Sequence, residues 1–224
     1  MKKMLLSAVL ALAFVGLLAP GQASALSMRL TSGASTVTIA DGSAGDSNGS
    51  AGAVTWIGSL GAWTLNVSTG LSYPVLGSPI DPHMDLNSVN LSASAVPTTL
   101  IIELSEVGFL APSFSPLATI GGTTDGTVQY SAFWDPGNNL FATTNPMTNS
   151  GLLGAGAFAD SQTGGVVGPG PFSLTQVVTI THAGGTRASS FNAELKSVPE
   201  PASLLFLGVG LLGLGLCRRQ TVHV

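Results

Sequence analysis

Cysteine is nearly absent: the chain of 224 residues has one, Cys217. No disulfide can form within it, so stability must come from a packed core. Charge is scarce too, at 8% of residues, against about a quarter in an ordinary soluble protein. That excludes a coiled coil, a polybasic nucleic-acid binder and a highly charged disordered chain. Aromatic residues make up 6%, with three Trp and two Tyr. Between the two ends, cations almost run out. Residues 26–197 hold Arg29, Arg187 and Lys196 against ten Asp and Glu, a net charge of −7. Binding to phosphates by counterion release then has little to work with, and no nucleic-acid partner is expected. Amphipathic helical spacing is also missing from this interior.

What is present is unevenly spread. The mean hydropathy of +0.46 is concentrated in two uncharged stretches, Met4–Ala19 and Ala202–Cys217. The first follows Met1-Lys2-Lys3. It is broken by Pro20-Gly21-Gln22 and leads into Ala23-Ser24-Ala25. A basic start, a short apolar helix and small residues at the cut are the parts of a secretory signal. Residues 1–25 are therefore expected to be a signal peptide, removed by signal peptidase at Ala23-x-Ala25, with the mature chain starting near Leu26.

The second apolar stretch follows Pro199-Glu200-Pro201 and ends on Arg218-Arg219. Sixteen helical residues span about 24 Å, and a bilayer core is about 30 Å thick, so a thinned bilayer or flanking residues would complete the span. The arginine pair should stay cytoplasmic, which places the domain before it outside. Gly208-Val209-Gly210-Leu211-Leu212-Gly213 matches G-x-G-x-x-G, but no strand precedes it, so a dinucleotide site is not expected there. Cys217 lies at the membrane edge, where it reads as a small apolar filler rather than an acylation site.

In order and spacing, Pro199-Glu200-Pro201, the apolar segment and Arg218-Arg219 resemble the PEP-CTERM sorting signal of Gram-negative bacteria. Such a tail is also called an ice-binding protein C-terminal domain. The resemblance implies recognition by a membrane-embedded exosortase, a transpeptidase that processes the chain near the motif. It also implies a setting of exopolysaccharide and biofilm, and a precursor held in the inner membrane before it reaches the cell envelope or the exterior. The five residues after the arginines depart from the family pattern. The sorting signal is assigned to residues 198–224.

Residues 26–197 read as one exported domain, all-β, a single jelly-roll-like β-sandwich. Period-two runs recur: Thr36–Ile39, Trp63–Ser68, Leu86–Leu91, Leu100–Leu104, Val128–Trp134, Phe172–Ile180 and Phe191–Leu195. Clusters of Gly, Pro, Asn and Asp at 41–52, 77–82, 121–126, 135–139 and 164–171 separate them. Short strands at this spacing predict a sandwich or barrel. Residues 145–171 are a Gly-rich stretch, too long for an ordinary loop. They are expected to be either a functional loop or a concealed strand.

Within the domain, several patterns bear on chemistry. Asp41, Asp46 and Asn48 offer oxygen ligands of the kind calcium prefers, though not at EF-hand spacing. Trp56, Trp63 and Trp134, with Tyr73 and Tyr130, could stack on sugar rings or fill the core. A turn at Ser59-Leu60 would set Trp56 opposite Trp63. Gly45-Asp46-Ser47-Asn48-Gly49 matches G-x-S-x-G, but strand-like residues follow where a nucleophile elbow needs a helix. Asp81-Pro82-His83-Met84-Asp85 groups two carboxylates with an imidazole, too few ligands for an open metal site. Thr36-x-Thr38 and Thr179-x-Thr181 are short threonine ladders, explained by the β-propensity of Thr.

The expected function is a non-enzymatic exported protein, structural or adhesive in an extracellular polysaccharide matrix, with no cofactor. A carbohydrate- or calcium-binding module is the alternative, and a secreted hydrolase centred on Ser47 comes third.

Overall fold

The computed structural model describes residues 26–198. Among the described residues there are twelve strands: β1 Ser27–Ser32, β2 Ser35–Ala40, β3 Ala53–Leu60, β4 Trp63–Leu71, β5 His83–Ser94, β6 Thr98–Phe109, β7 Ser115–Thr124, β8 Thr127–Asp135, β9 Asn145–Asn149, β10 Gly156–Thr163, β11 Phe172–His182 and β12 Gly185–Val198. They form two antiparallel six-stranded sheets, β10-β7-β12-β5-β4-β3 and β2-β1-β6-β11-β8-β9. β5 to β12 alone give β10-β7-β12-β5 over β9-β8-β11-β6, the strand order of an eight-stranded jelly roll. The hairpins β3–β4 and β1–β2 widen the two sheets beyond β5 and β6. No helix occurs among the described residues.

The period-two reading of the sequence holds because one face of each sheet is buried and most of the other is wet; the 136–144 loop covers Ser105 and Ser173 on the outer face. Phe172, Leu174, Gln176, Val178, Ile180 and His182 of β11 all point inward and are essentially inaccessible. Leu100, Ile102 and Leu104 of β6 do the same, as do Phe191, Ala193 and Leu195 of β12. At one end the core closes on aromatic rings. Phe172 lies 5.8 Å from Phe109, 5.9 Å from Phe114 and 6.4 Å from Trp134, and Tyr73 meets Phe109 edge-on at 5.4 Å. Each such pair adds about 0.5–1.5 kcal/mol beyond simple burial.

Two local expectations are corrected, and for residues 145–171 the concealed-strand alternative is the one found. The β3–β4 turn is at Gly61-Ala62, so Leu60 pairs with Trp63, and Trp56 faces Ser68 rather than Trp63. Gly61 has φ +60, the positive φ a two-residue hairpin needs at its first central position, which Leu60 would reach only with strain. Gly121 and Gly122 do not break a strand but lie within β7. A Cβ on Gly122 would sit 2.0 Å from the Ser190 carbonyl oxygen, so the glycine lets β12 come close. The stretch 145–171 holds two strands, β9 and β10.

Connectivity gives the molecule two unlike poles. Every odd-numbered strand begins at one pole and every even-numbered strand ends there. Loops 41–52, 72–82, 110–114, 136–144 and 164–171, which include the four longest among the described residues, therefore gather at that pole, together with Leu26 and Val198. The other pole has mostly tight turns.

Candidate functional site

The loop pole is where the chain emerges toward its sorting segment. β12 lies between β5 and β7, and its last residues pair Ser197 with Pro116 and Val198 with Ser115. Ser197 donates its N–H to the Pro82 carbonyl at 2.9 Å and its hydroxyl to Asp81 Oδ1 at 2.5 Å. The folded sandwich thus extends to Val198, the residue before Pro199. Pro199, Glu200, Pro201, Arg218 and Arg219, the expected cut at Ala23 and Ala25, and both apolar segments lie outside the described residues.

Asp41, Asp46 and Asn48 come together in the β2–β3 loop, with their oxygens turned to backbone N–H groups. Asp46 Oδ1 accepts from Asn48 at 2.9 Å and Thr55 at 2.8 Å, and its Oδ2 accepts from Gly42 at 3.0 Å. Asn48 Oδ1 accepts from Ser50 at 3.0 Å, and Asp41 Oδ2 from Gly52 at 2.7 Å. These are turn-forming contacts. Ser47 sits in this loop with its N–H on the Thr55 carbonyl, and strand β3 follows it. Among the described residues, no three His, Cys, Asp or Glu side chains are grouped to hold a metal.

The tryptophans separate. Trp63 is wholly buried near the tight-turn pole. Its ring is 4.6 Å from that of His182, and its Nε1–H donates to Thr98 Oγ1 at 3.1 Å. Trp134 is half-buried in the aromatic plug of the loop pole. Trp56 is half-buried against the core on the edge strand β3. Tyr130 is interior, donating to Gln176 Oε1 at 2.8 Å, and burial pushes its hydroxyl well above the usual range. Tyr73 donates to the Val107 carbonyl at 2.8 Å; burial, then the charge of Glu106, push its pKa up to about 12.

His83 and the acids of 81–85 take no part in a shared cluster. His83 Nε2 meets Glu194 Oε1 at 2.7 Å, and Lys196 donates to Glu194 Oε2 at 3.0 Å on the outer face of β5 and β12. Partial burial pushes the Glu194 carboxyl up, but the hydrogen bonds from Lys196 and His83 outweigh it and hold the group below its usual range. At the end of β8, Asp135 is held below the usual range by the Asn139 side chain and the N–H groups of Asn139 and Gly137 in the 136–144 loop.

One polar chain went unread in the sequence. Ser92 Oγ and Ser189 Oγ each lie 2.7 Å from a His182 ring nitrogen, and Thr124 Oγ1 is 2.6 Å from Ser189. All four residues are buried. Burial holds His182 below its usual pKa, Asp125 pulls it up, and Arg187 pulls it further down. The alternation along β11 that marks Ile180 as buried also marks His182, so its burial was legible; its partners on β5 and β12 required the register. A Ser–His pair without access to substrate is a core hydrogen bond.

The sheets' outer faces carry paired hydroxyls, and on the β1–β6 side Arg29, bonded to Glu103, lies 4.3 Å over the Phe141 ring. Thr31 and Thr36 are 3.2 Å apart, Thr99 and Thr181 3.0 Å, Thr55 and Thr69 3.0 Å, and Thr123 and Ser190 3.1 Å. The two threonine ladders thus lie on one face, each paired across strands. Clefts open at both ends of the described sandwich. One, of about 330 Å³, opens at the loop pole between Ile80, Pro112, Phe114 and Val198. The other, of about 350 Å³, lies by Val89, Asp125, Ala157 and Ala188.

Comparison with known proteins adds one match of sequence. The family model described as the PEP-CTERM protein-sorting motif matches residues 197–219. No curated protein matches the chain. Among solved structures, TmCBM61 in complex with β-1,4-galactotriose is similar at 6% identity, over 61% of this chain and 88% of that one, with a TM-score of 0.32. The N-terminal cellulose-binding domain of Cellulomonas fimi β-1,4-glucanase C is similar at 11% identity, over 51% and 80%, with a TM-score of 0.29. TmCBM27, a carbohydrate-binding module studied for mannan recognition, is similar at 12% identity, over 61% and 90%, with a TM-score of 0.27.

Proposed function

Because the chain carries a PEP-CTERM protein-sorting motif at residues 197–219, we propose that it is a non-enzymatic component of an extracellular polysaccharide matrix, delivered through the cell envelope. The motif marks an exported protein sorted through an exosortase. In this reading residues 1–25 direct export and are cut off after Ala25. The helix of 202–217 then holds the precursor in the inner membrane, with Arg218-Arg219 on the cytoplasmic side. The exosortase acts near Pro199-Glu200-Pro201, directly beyond the last strand.

The match at 197–219 is the observation that carries this proposal. The matrix role has further support in the domain itself. Its outer faces present paired hydroxyls suited to hydrogen-bonding a hydrated polymer, while Trp63 and Tyr130 are interior and cannot stack on a sugar. Both described histidines already bond within the fold, His83 to Glu194 and His182 to Ser92 and Ser189. Expression of the full chain with and without an exosortase, followed by fractionation, tests the reading. Release that requires the enzyme, and retention of the released domain by matrix polysaccharide, are the expected results. Release without the enzyme contradicts the sorting step; a released domain that washes free of matrix contradicts the role.

A further inference from the structure

We propose that the loop pole of the sandwich rests on the lipid surface while the precursor is in the membrane, with Ile80, Leu110 and Val166 as its apolar contacts. This rests on the reading of residues 202–217 as a membrane span. The argument begins with the tether. β12 is an inner strand, fixed on both sides, and it ends at Val198. From Val198 to Ala202 there are four peptide steps, at most about 14 Å of extended chain. The pole carrying Val198 therefore lies within that reach of the bilayer surface. Leu26 leaves from the same pole, so a leader still attached would approach the membrane from the same side.

Three of the five loops at this pole present exposed apolar side chains and no cation, while the 41–52 loop beside them carries Asp41 and Asp46. Ile80 is 68% exposed, Leu110 54% and Val166 69%. They belong to three loops held to one another. The Leu110 N–H donates to the Pro79 carbonyl at 2.7 Å, and Phe114 and Val167 exchange backbone hydrogen bonds. Ile80 and Val198 share the cleft of about 330 Å³ with Pro112 and Phe114. Loops 72–82, 110–114 and 164–171 contain no Lys or Arg, and their one acid, Asp81, accepts the Ser197 hydroxyl. Such a contact depends on apolar burial and not on anionic headgroups. At the far pole Val96, 64% exposed, and Leu152, 72% exposed, are equally apolar, but the tether holds them away from the membrane.

That contrast supplies the test. The full chain with Cys217→Ser receives single cysteines by Ile80→Cys, Leu110→Cys, Val96→Cys or Leu152→Cys, each at an exposed position. Each is labelled with a bimane fluorophore and reconstituted in phosphatidylcholine vesicles containing nitroxide-labelled acyl chains. Labels at 80 and 110 are expected to be quenched several-fold more than those at 96 and 152, with no dependence on salt. Equal quenching at all four, or none at any, overturns the proposal. Shielding of 80 and 110 that appears only when an exosortase is added overturns it in favour of a protein contact. Alkaline carbonate extraction of the same vesicles separates the two readings. Release of the chain means that the span itself fails, whereas a retained chain with unquenched labels means that only the docking fails.

Discussion

Asp46 shows how a single carboxylate can organise a loop without a metal. Three backbone N–H groups, from Gly42, Asn48 and Thr55, converge on it. The Asp46→Ala substitution leaves them to water, and we expect a loss of about 1–2 kcal/mol, or several degrees in melting temperature. Millimolar calcium should give the same small change in wild type and variant. A calcium-dependent rise in melting temperature abolished by Asp46→Ala would instead identify a ligand. His182 sets a pH dependence of its own. Burial lowers its folded pKa below the unfolded value of about 6.5, so below that pH the unfolded state takes up the proton first. Stability should thus be full above pH ~6.5 and fall as pH drops through that value toward the folded pKa. Melting curves between pH 4.5 and 7.5 should show this slope, and His182→Gln should flatten it. A slope unchanged in the variant would place its origin elsewhere.

At the scale of the strand, a pair of neighbouring glycines makes a controlled comparison. A Cβ on Gly122 would collide with the Ser190 carbonyl, whereas one on Gly121 would meet the Phe158 carbonyl oxygen at 3.7 Å, an ordinary contact. Gly122→Ala is expected to cost about 3 kcal/mol, roughly 10 °C in melting temperature. Gly121→Ala should change it little, and equal effects in a thermal melt would refute the close approach. The same pair shows where the sequence could be read and where it could not. Alternation in β6, β8, β11 and the end of β12 is plain because one face of each is apolar and packed in the core, while the other carries polar residues even where it is covered, as at Ser105 and Thr175. Gly121-Gly122 looks like punctuation, since only the neighbouring strand reveals that a side chain has no room. β10 hides for a related reason: it is an edge strand whose residues all retain some exposure, so burial imposes little alternation on it. Trp56 and Trp63 follow the same logic. Their register depended on which residue could take a positive φ, and Gly61 rather than Leu60 does. The sorting motif was legible because its three parts are contiguous in sequence and need no tertiary partner, whereas the His182 chain joins residues of four strands.

Residues 26–198 form a jelly roll with the long loops, Leu26 and Val198 at one pole. This arrangement suits a domain handed across a membrane and then cut free. Leu26 and Val198, the first and last described residues, stand on the same side, and the last strand ends where the sorting motif begins. Residues 26–198 contain twelve strands and a continuous buried core, so the domain should remain folded once released. The central claim is that Pro199-Glu200-Pro201 commits this sandwich to exosortase sorting. The most direct measurement is fractionation with intact-mass analysis of the full chain and its Glu200→Ala variant, expressed in a Gram-negative host that has an exosortase. The wild type should leave the membrane as a product lacking the 202–217 segment, while the variant stays in the inner membrane at precursor mass. Release of the Glu200→Ala chain with the same mass and yield as wild type would contradict the account.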